Sequence, residues 1–190
     1  MTDPLVIGSR GSRLALAQSH QVATDLTRLT GAEVTVEVFS TRGDRIQDTP
    51  LPEIGGKGLF TLELEQALNE GRIDLAVHSL KDLPTEEPTG LTLGAIPKRE
   101  DPRDVLVGFA IDDLAPSAVV ATGSLRRRCQ LLALRPDLKV VDIRGNVPTR
   151  LAKRDSGQCA ATILAAAGLN RLGIERGDCT PFTVEQMVPA

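Results

Sequence analysis

The sequence predicts an α/β protein of two lobes, with mainly parallel sheets and covering helices, and three observations predict it. Short apolar runs alternate with helix-period segments along the 190 residues. Aromatics are scarce, four Phe with no Tyr or Trp, so the core must be built from Val, Ile, Leu and Ala, as buried strands and their helices are. A charged run, Lys98-Arg99-Glu100-Asp101-Pro102-Arg103-Asp104, breaks the apolar pattern near the middle of the chain. It is the expected hinge, residues 98–104, between a first lobe of residues 1–97 and a second of residues 105–190.

The elements follow in order. Leu5-Val6-Ile7 reads as a buried strand, and residues 12–29 as a helix with Ala15, Val22, Leu26 and Leu29 on one face. Val34, Val36 and Val38 alternate with Thr35, Glu37 and Phe39 at strand period. Gly55-Gly56-Lys57-Gly58 is a loop or tight turn, and the helix carrying Phe60, Leu64, Ala67 and Leu68 should end at Gly71. Strands are expected over residues 74–79, 91–96, 105–109, 118–122 and 139–143, with a helix over 125–134. Residues 161–165 suit a strand or a buried helix. Ser12 and Ser124 both stand where a strand turns into a helix, in N-cap position with Arg nearby. Two lobes of similar design would produce this echo, and so would convergence on one kind of turn.

Bulk composition excludes several function classes. A net charge of -3 and the lack of aromatic stacking platforms argue against nucleic acid as a partner. Cys129, Cys159 and Cys179 are odd in number and have no pair-like spacing, which fits a reducing compartment. The N-terminal residues do not resemble a signal peptide and no stretch approaches membrane-spanning length, so a cytoplasmic protein without a membrane partner is expected. The two histidines and scattered cysteines make no zinc pattern, and no dinucleotide or Walker fingerprint is present. Cys129, inside a helical segment, is expected to be packed, and His20 to be structural.

The arginines are the informative residues. Arg10, Arg126, Arg127, Arg144 and Arg150 lie in or just beyond turns that follow expected strands. Ligands of open α/β sheets bind beyond the carboxyl ends of strands, where helix N-termini favour anions and Arg can grip a carboxylate in bidentate fashion. Any one of these arginines also reads as part of a solvated helix face. The set points to a small polyanion, because separate turns repeat the arrangement. His78-Ser79-Leu80-Lys81-Asp82-Leu83-Pro84 leaves a strand for a Pro-limited loop. By itself Asp82 is a turn-former; beside Lys81 and the arginines it would be ionised, suited to hold a cation or an N–H group.

Longer motifs carry a resemblance. Gly8-Ser9-Arg10-Gly11-Ser12-Arg13-Leu14-Ala15, Thr41-Arg42-Gly43-Asp44, Gly55-Gly56-Lys57-Gly58-Leu59-Phe60 and His78-Ser79-Leu80-Lys81-Asp82-Leu83-Pro84 resemble the porphobilinogen deaminase (hydroxymethylbilane synthase) family. Arg99-Glu100-Asp101-Pro102-Arg103-Asp104, Gly123-Ser124-Leu125-Arg126-Arg127, Arg144-Gly145-Asn146-Val147-Pro148-Thr149-Arg150-Leu151 and Ala167-Gly168-Leu169-Asn170-Arg171-Leu172-Gly173 extend it in family order. The resemblance implies two lobes of the type-II periplasmic-binding-protein kind, with Asp82 as the catalytic carboxylate. It assigns Arg10, Arg126, Arg127, Arg144, Arg150 and Arg171 to substrate and cofactor carboxylates. Ser12, Lys57, Ser79, Lys81, Thr122 and Ser124 are its further cleft contacts, and residues 55–60 its mobile loop.

The implied activity is a transferase of tetrapyrrole and heme biosynthesis, joining porphobilinogen units with release of ammonia to give hydroxymethylbilane. The implied cofactor is dipyrromethane, held by thioether to a cysteine of a third, C-terminal domain. That domain is expected to be missing here, so the attachment cysteine should lie outside this chain and the chain alone should be inactive. The resemblance suggests a monomer and no metal. The competing class is an idle anion-binding module that keeps the two-lobed cleft.

Overall fold

The structure, a computed structural model, describes residues 2–45 and 58–190. These fall into two compact units that part between Pro97 and Lys98.

In the first unit, β1 (Leu5–Arg10) lies between β2 (Val34–Phe39) and the short β3 (Leu75–Ala76), and both pairings are parallel. Helix α1 (Arg13–Thr30) joins β1 to β2, with Ser12 Oγ accepting from the Ala15 N–H as N-cap. The cap satisfies one of the helix's orphan donors and orients the β1 turn. The Ser19 hydroxyl donates to that of Ser9 at 2.8 Å, a buried polar clasp between α1 and β1. A short helix α2 (Arg42–Arg45) and a longer one, α3 (Leu62–Asn69), follow. Phe39, Leu64, Ala67 and Ile73 form the core, and Gly71 caps the end of α3 by donating to the Leu68 carbonyl. The 3-10 turn Leu80–Asp82 follows β3.

The second unit holds a five-stranded sheet in the order β6-β5-β7-β4-β8. Its strands are β4 (Asp104–Val107), β5 (Val119–Ala121), β6 (Lys139–Val141), β7 (Ala161–Ala165) and β8 (Cys179–Pro181). β5 pairs in parallel with β6 and β7, while β4 is antiparallel to β7 and β8. Helices α4 (Leu125–Leu134), α5 (Val147–Asp155) and α6 (Ala166–Arg171) cover it. Successive strand residues face opposite sides. Leu106 and Ile163 accordingly join Val120, Leu131 and Phe182 on one face, and Val105, Val107 and Leu164 join Leu151 and Leu169 on the other.

The α/β class with mainly parallel pairing stands, and residues 161–165 are a strand. Three expectations need correction. Residues 91–96 form no strand; they are largely exposed, Ile96 at 69%, because no ladder pairs them among the described residues. The strand expected over 74–79 shrinks to two residues, since β1 pairs with it only at Ile7 and Gly8. Cys129 lies exposed on α4, the packed positions of that helix being Arg127 and Leu131.

Candidate active site

In the first unit the site begins at the last residue of β1. The period-two strand delivers Arg10 to its carboxyl end, and the Ser12 cap turns the chain away into α1. Arg10, Ser12, Gln18, His78, Ser79 and Asp82 line a small cavity of about 50 Å³. Arg10 Nη1 lies 3.8 Å from Asp82 Oδ2. Asp82 is thus held loosely, with its carboxylate partly exposed. Ser79 Oγ donates to Gln18 Oε1 at 3.1 Å, tying the loop after β3 to α1. Burial holds the His78 imidazole below its usual range; the Arg10 charge adds to this and Asp82 and Glu65 oppose it.

Arg10 has closer partners than Asp82. Its Nε donates to Asp44 Oδ2 at 3.1 Å and its Nη2 to the other carboxylate oxygen. Burial pushes the Asp44 carboxyl up, and hydrogen bonds from Arg10 and Thr41 with the Arg10 charge outweigh it, so the net shift is down. The Phe60 ring lies against the guanidinium, 4.1 Å from Cζ to centroid. Lys81 is exposed, and Lys57 lies outside the described residues.

In the second unit Ser124 caps α4, accepting from the Arg127 N–H, and buried Thr122 accepts from the Ser124 N–H at 3.2 Å. Arg126 and Arg127 both turn to Asp104, which is 2% exposed. Arg127 gives Asp104 Oδ1 two bonds, 3.1 and 2.7 Å, and donates from Nη1 to the Ile163 carbonyl at 3.0 Å. Arg126 Nη2 takes Oδ2 at 2.6 Å, and its Nη1 donates to the Val188 carbonyl. Arg127 is therefore a buried member of an ion pair, not part of a solvated helix face.

Arg144 and Arg150 follow β6. Asn146 caps α5 with Pro148 in its first turn, and Arg150 Nε donates to the Gly145 carbonyl at 2.8 Å. Gly145 has φ 112, and a Cβ there would lie 2.6 Å from Thr149, so the turn requires glycine. Arg150 is held below its usual basicity by burial, then by the like charges of Arg127 and Arg144. Three guanidinium groups thus gather, and no carboxylate among the described residues pairs with Arg150. Arg171 stands apart at the end of α6, acting on Glu100.

Sequence reasoning gave no site role to Asp44, His78 and Asp104, and placed Phe60 only at the end of the loop over the site. Asp44 and Asp104 were visible only as ends of charged motifs, and nothing local marks which arginine each would hold. No group of three potential ligands for a metal occurs among the described residues.

The fold and these side chains define a class: an α/β protein of two units, each placing arginine at the carboxyl ends of its parallel strands. Residues 5–190 match the family model described as porphobilinogen deaminase, dipyromethane cofactor binding domain. The chain belongs to the porphobilinogen deaminase family.

Among curated relatives, the porphobilinogen deaminase of a Nitratiruptor species is 57% identical over 98% of this chain and 61% of its own length. That of a Roseiflexus species is 52% identical over 100% of this chain and 64% of its own. The chain thus spans about three fifths of the relatives it matches. Among solved structures, the methionine-binding protein MetQ aligns over 94% of this chain and 81% of its own at 15% identity and TM-score 0.48. The periplasmic molybdate-binding protein of Azotobacter vinelandii aligns over 100% and 82% at 12% identity and TM-score 0.39. No described helix is long and apolar enough to cross a membrane.

Proposed function

We propose that this chain forms part of a transferase that condenses porphobilinogen units with release of ammonia, yielding hydroxymethylbilane for tetrapyrrole and heme biosynthesis. Asp82 is the proposed catalytic residue. The observation that carries the reading is a carboxylate, Asp82, which lines a cavity and meets its nearest cation only at 3.8 Å. Its oxygens remain open to a ligand N–H.

Porphobilinogen bears an acetate, a propionate and an aminomethyl group. Loss of ammonia leaves an electron-poor pyrrole that the next ring attacks, and positive charge develops at the ring nitrogen. A carboxylate placed at that N–H before the reaction stabilises the charge without reorganisation. The carboxylates of a growing pyrrole chain need cations, and the Arg127, Arg144 and Arg150 group supplies them where mutual repulsion already favours an anion. Arg10, Arg126, Arg171, Lys57, Lys81, Ser12, Ser79, Thr122 and Ser124 are the further proposed contacts.

The dipyrromethane named in the family description carries carboxylates on two linked pyrroles. A set of mutually repelling arginines fits such a group, and Arg144 and Arg150 would hold it. When bound, it supplies the primer to which units are added. Burial pushes the Cys159 and Cys179 thiols up, which makes both poor nucleophiles, and Cys129 lies on an exposed helix face. None of the three is proposed as its attachment point.

The test is Asp82→Asn, made in this chain joined to the remaining C-terminal part of a porphobilinogen deaminase relative, with porphobilinogen consumption, ammonia release and melting followed together. Turnover should fall by roughly a hundredfold or more, the scale of one lost preorganised electrostatic partner. Melting should stay within a few degrees. Porphobilinogen binding without ammonia release by the unaltered protein would instead support an idle anion-binding module.

A further inference from the structure

The turn between β6 and α5 carries Arg144, and a residue with no part in the reaction as described holds that turn. Lys153 is half-buried in the last turn of α5, and its Nζ donates to the Arg144 carbonyl at 3.1 Å. Its neighbour Arg154 pairs with Asp155 and Asp178, while Lys153 pairs with no carboxylate among the described residues. Arg150, three residues earlier and adjacent on the helix surface, donates to the next carbonyl, that of Gly145, at 2.8 Å. Two basic side chains of α5 thus hold two successive carbonyls of one turn.

A trans peptide directs its N–H opposite to its carbonyl, and no cis bond occurs among the described residues. Drawing the Arg144 and Gly145 carbonyls onto Lys153 and Arg150 therefore turns the Gly145 and Asn146 N–H groups the other way. Neither N–H has an acceptor among the described residues. Sterics alone do not fix this arrangement. Gly145 has φ 112, and glycine populates positive and negative φ about equally. A flip of the Arg144–Gly145 peptide would present a carbonyl oxygen where an N–H now stands. That oxygen would repel the carboxylates proposed for Arg144 and Arg150.

We propose that Lys153 is a positioning residue: its bond to the Arg144 carbonyl selects the peptide orientation that leaves N–H groups, beside the Arg144 guanidinium, for an anionic ligand. The consequence for binding rests on the transferase reading; the peptide orientation does not. Lys153 acts through the backbone, which distinguishes it from Arg144 and Arg150.

The test uses this chain labelled with 15N at glycine, unaltered and as Lys153→Met, Lys153→Gln and Lys153→Arg. Met keeps the apolar stem without the donor, and Arg keeps a charged donor. In ligand-free unaltered protein the Gly145 amide should report one state. Lys153→Met should add exchange on the μs–ms scale, read by relaxation dispersion, and Lys153→Arg should suppress it. Affinity is read by calorimetry with porphobilinogen on the joined protein of the Asp82 test, carrying Asp82→Asn so that turnover does not obscure the titration. Lys153→Met should weaken it roughly tenfold, as when the competent orientation falls to about one tenth. Lys153→Arg should restore most of that affinity, and melting temperatures should stay within a few degrees. Lys153→Gln, a shorter neutral donor, should fall between, and it carries the comparison if Lys153→Met does not fold. A Gly145 amide equally quiet in unaltered protein and in the variant without the donor would overturn the proposal. So would equal loss of affinity in Lys153→Met and Lys153→Arg, which would make Lys153 a ligand contact. If the joined protein, with or without Asp82→Asn, fails to bind porphobilinogen while the Gly145 difference persists, the transferase reading fails and the peptide clamp stands.

Discussion

Arg150 is the residue whose surroundings ask most plainly for an anion. Its guanidinium is partly buried, its Nε is bonded to the neutral Gly145 carbonyl, and Arg127 and Arg144 repel it. A buried charge costs free energy unless paired. An anionic ligand would supply that pair and relieve the repulsion together. Replacing Arg150 with Leu should therefore weaken porphobilinogen binding by about 1.5–3 kcal/mol, the range for hydrogen bonds to charged groups. Calorimetry at two salt concentrations reads both the loss and its electrostatic origin. Unchanged affinity would assign the ligand carboxylates elsewhere. Arg127 differs, since Asp104 takes most of its donors, although that single carboxylate is shared with Arg126 and leaves one positive charge in excess.

At the scale of elements, Asp104 joins the sheet to α4. It opens β4, and its two oxygens receive Arg126 and Arg127 from the first turn of that helix. The helix cannot rotate without breaking both bonds. Asp104→Ala would leave Arg127 buried with only the Ile163 carbonyl as acceptor. Removing one partner of a buried pair costs about 3–5 kcal/mol, and that loss is expected here in denaturant unfolding. A change under about 1 kcal/mol would mean that water reaches Arg127 freely. Much of this scale was legible in the residues. Ser12 and Ser124 read as N-caps because a hydroxyl before a helix-period run satisfies an orphan N–H, and both do so. Residues 91–96 misled, because period and composition report a capacity to form a strand while a ladder also requires a partner.

For the whole molecule, titration separates two windows. The folded protein holds His78 below its ordinary value of 6.5, mainly through burial, so the unfolded chain binds the proton more readily. Stability from neutral His78 is complete above that value and is lost as pH falls through the folded value. Asp155 and Asp178 lie below the usual carboxylate range, chiefly through hydrogen bonds from Arg176. Their contribution is present above the unfolded value of about 3.9 and lost as pH falls further. Thermal melts should therefore fall first as pH drops below about 6.5 and again below about pH 4. His78→Gln should remove the first decline and leave the second. A first decline that survives in that variant would assign it to another group.

The sequence by itself determined the α/β class, the caps, most helices and strands, and the family through its ordered motifs. These signals are local: each depends on spacing within a few residues, which the chain carries wherever it folds. Only the tertiary structure decided how the charges are shared. Arg10 meets Asp44 across 34 residues and Arg127 meets Asp104 across 23, distances over which no periodicity acts. Five arginines looked alike along the chain. Folding commits Arg10, Arg126 and Arg127 to carboxylates and leaves Arg150 beside like charges, because burial makes pairing obligatory and only packing selects which acid is within reach.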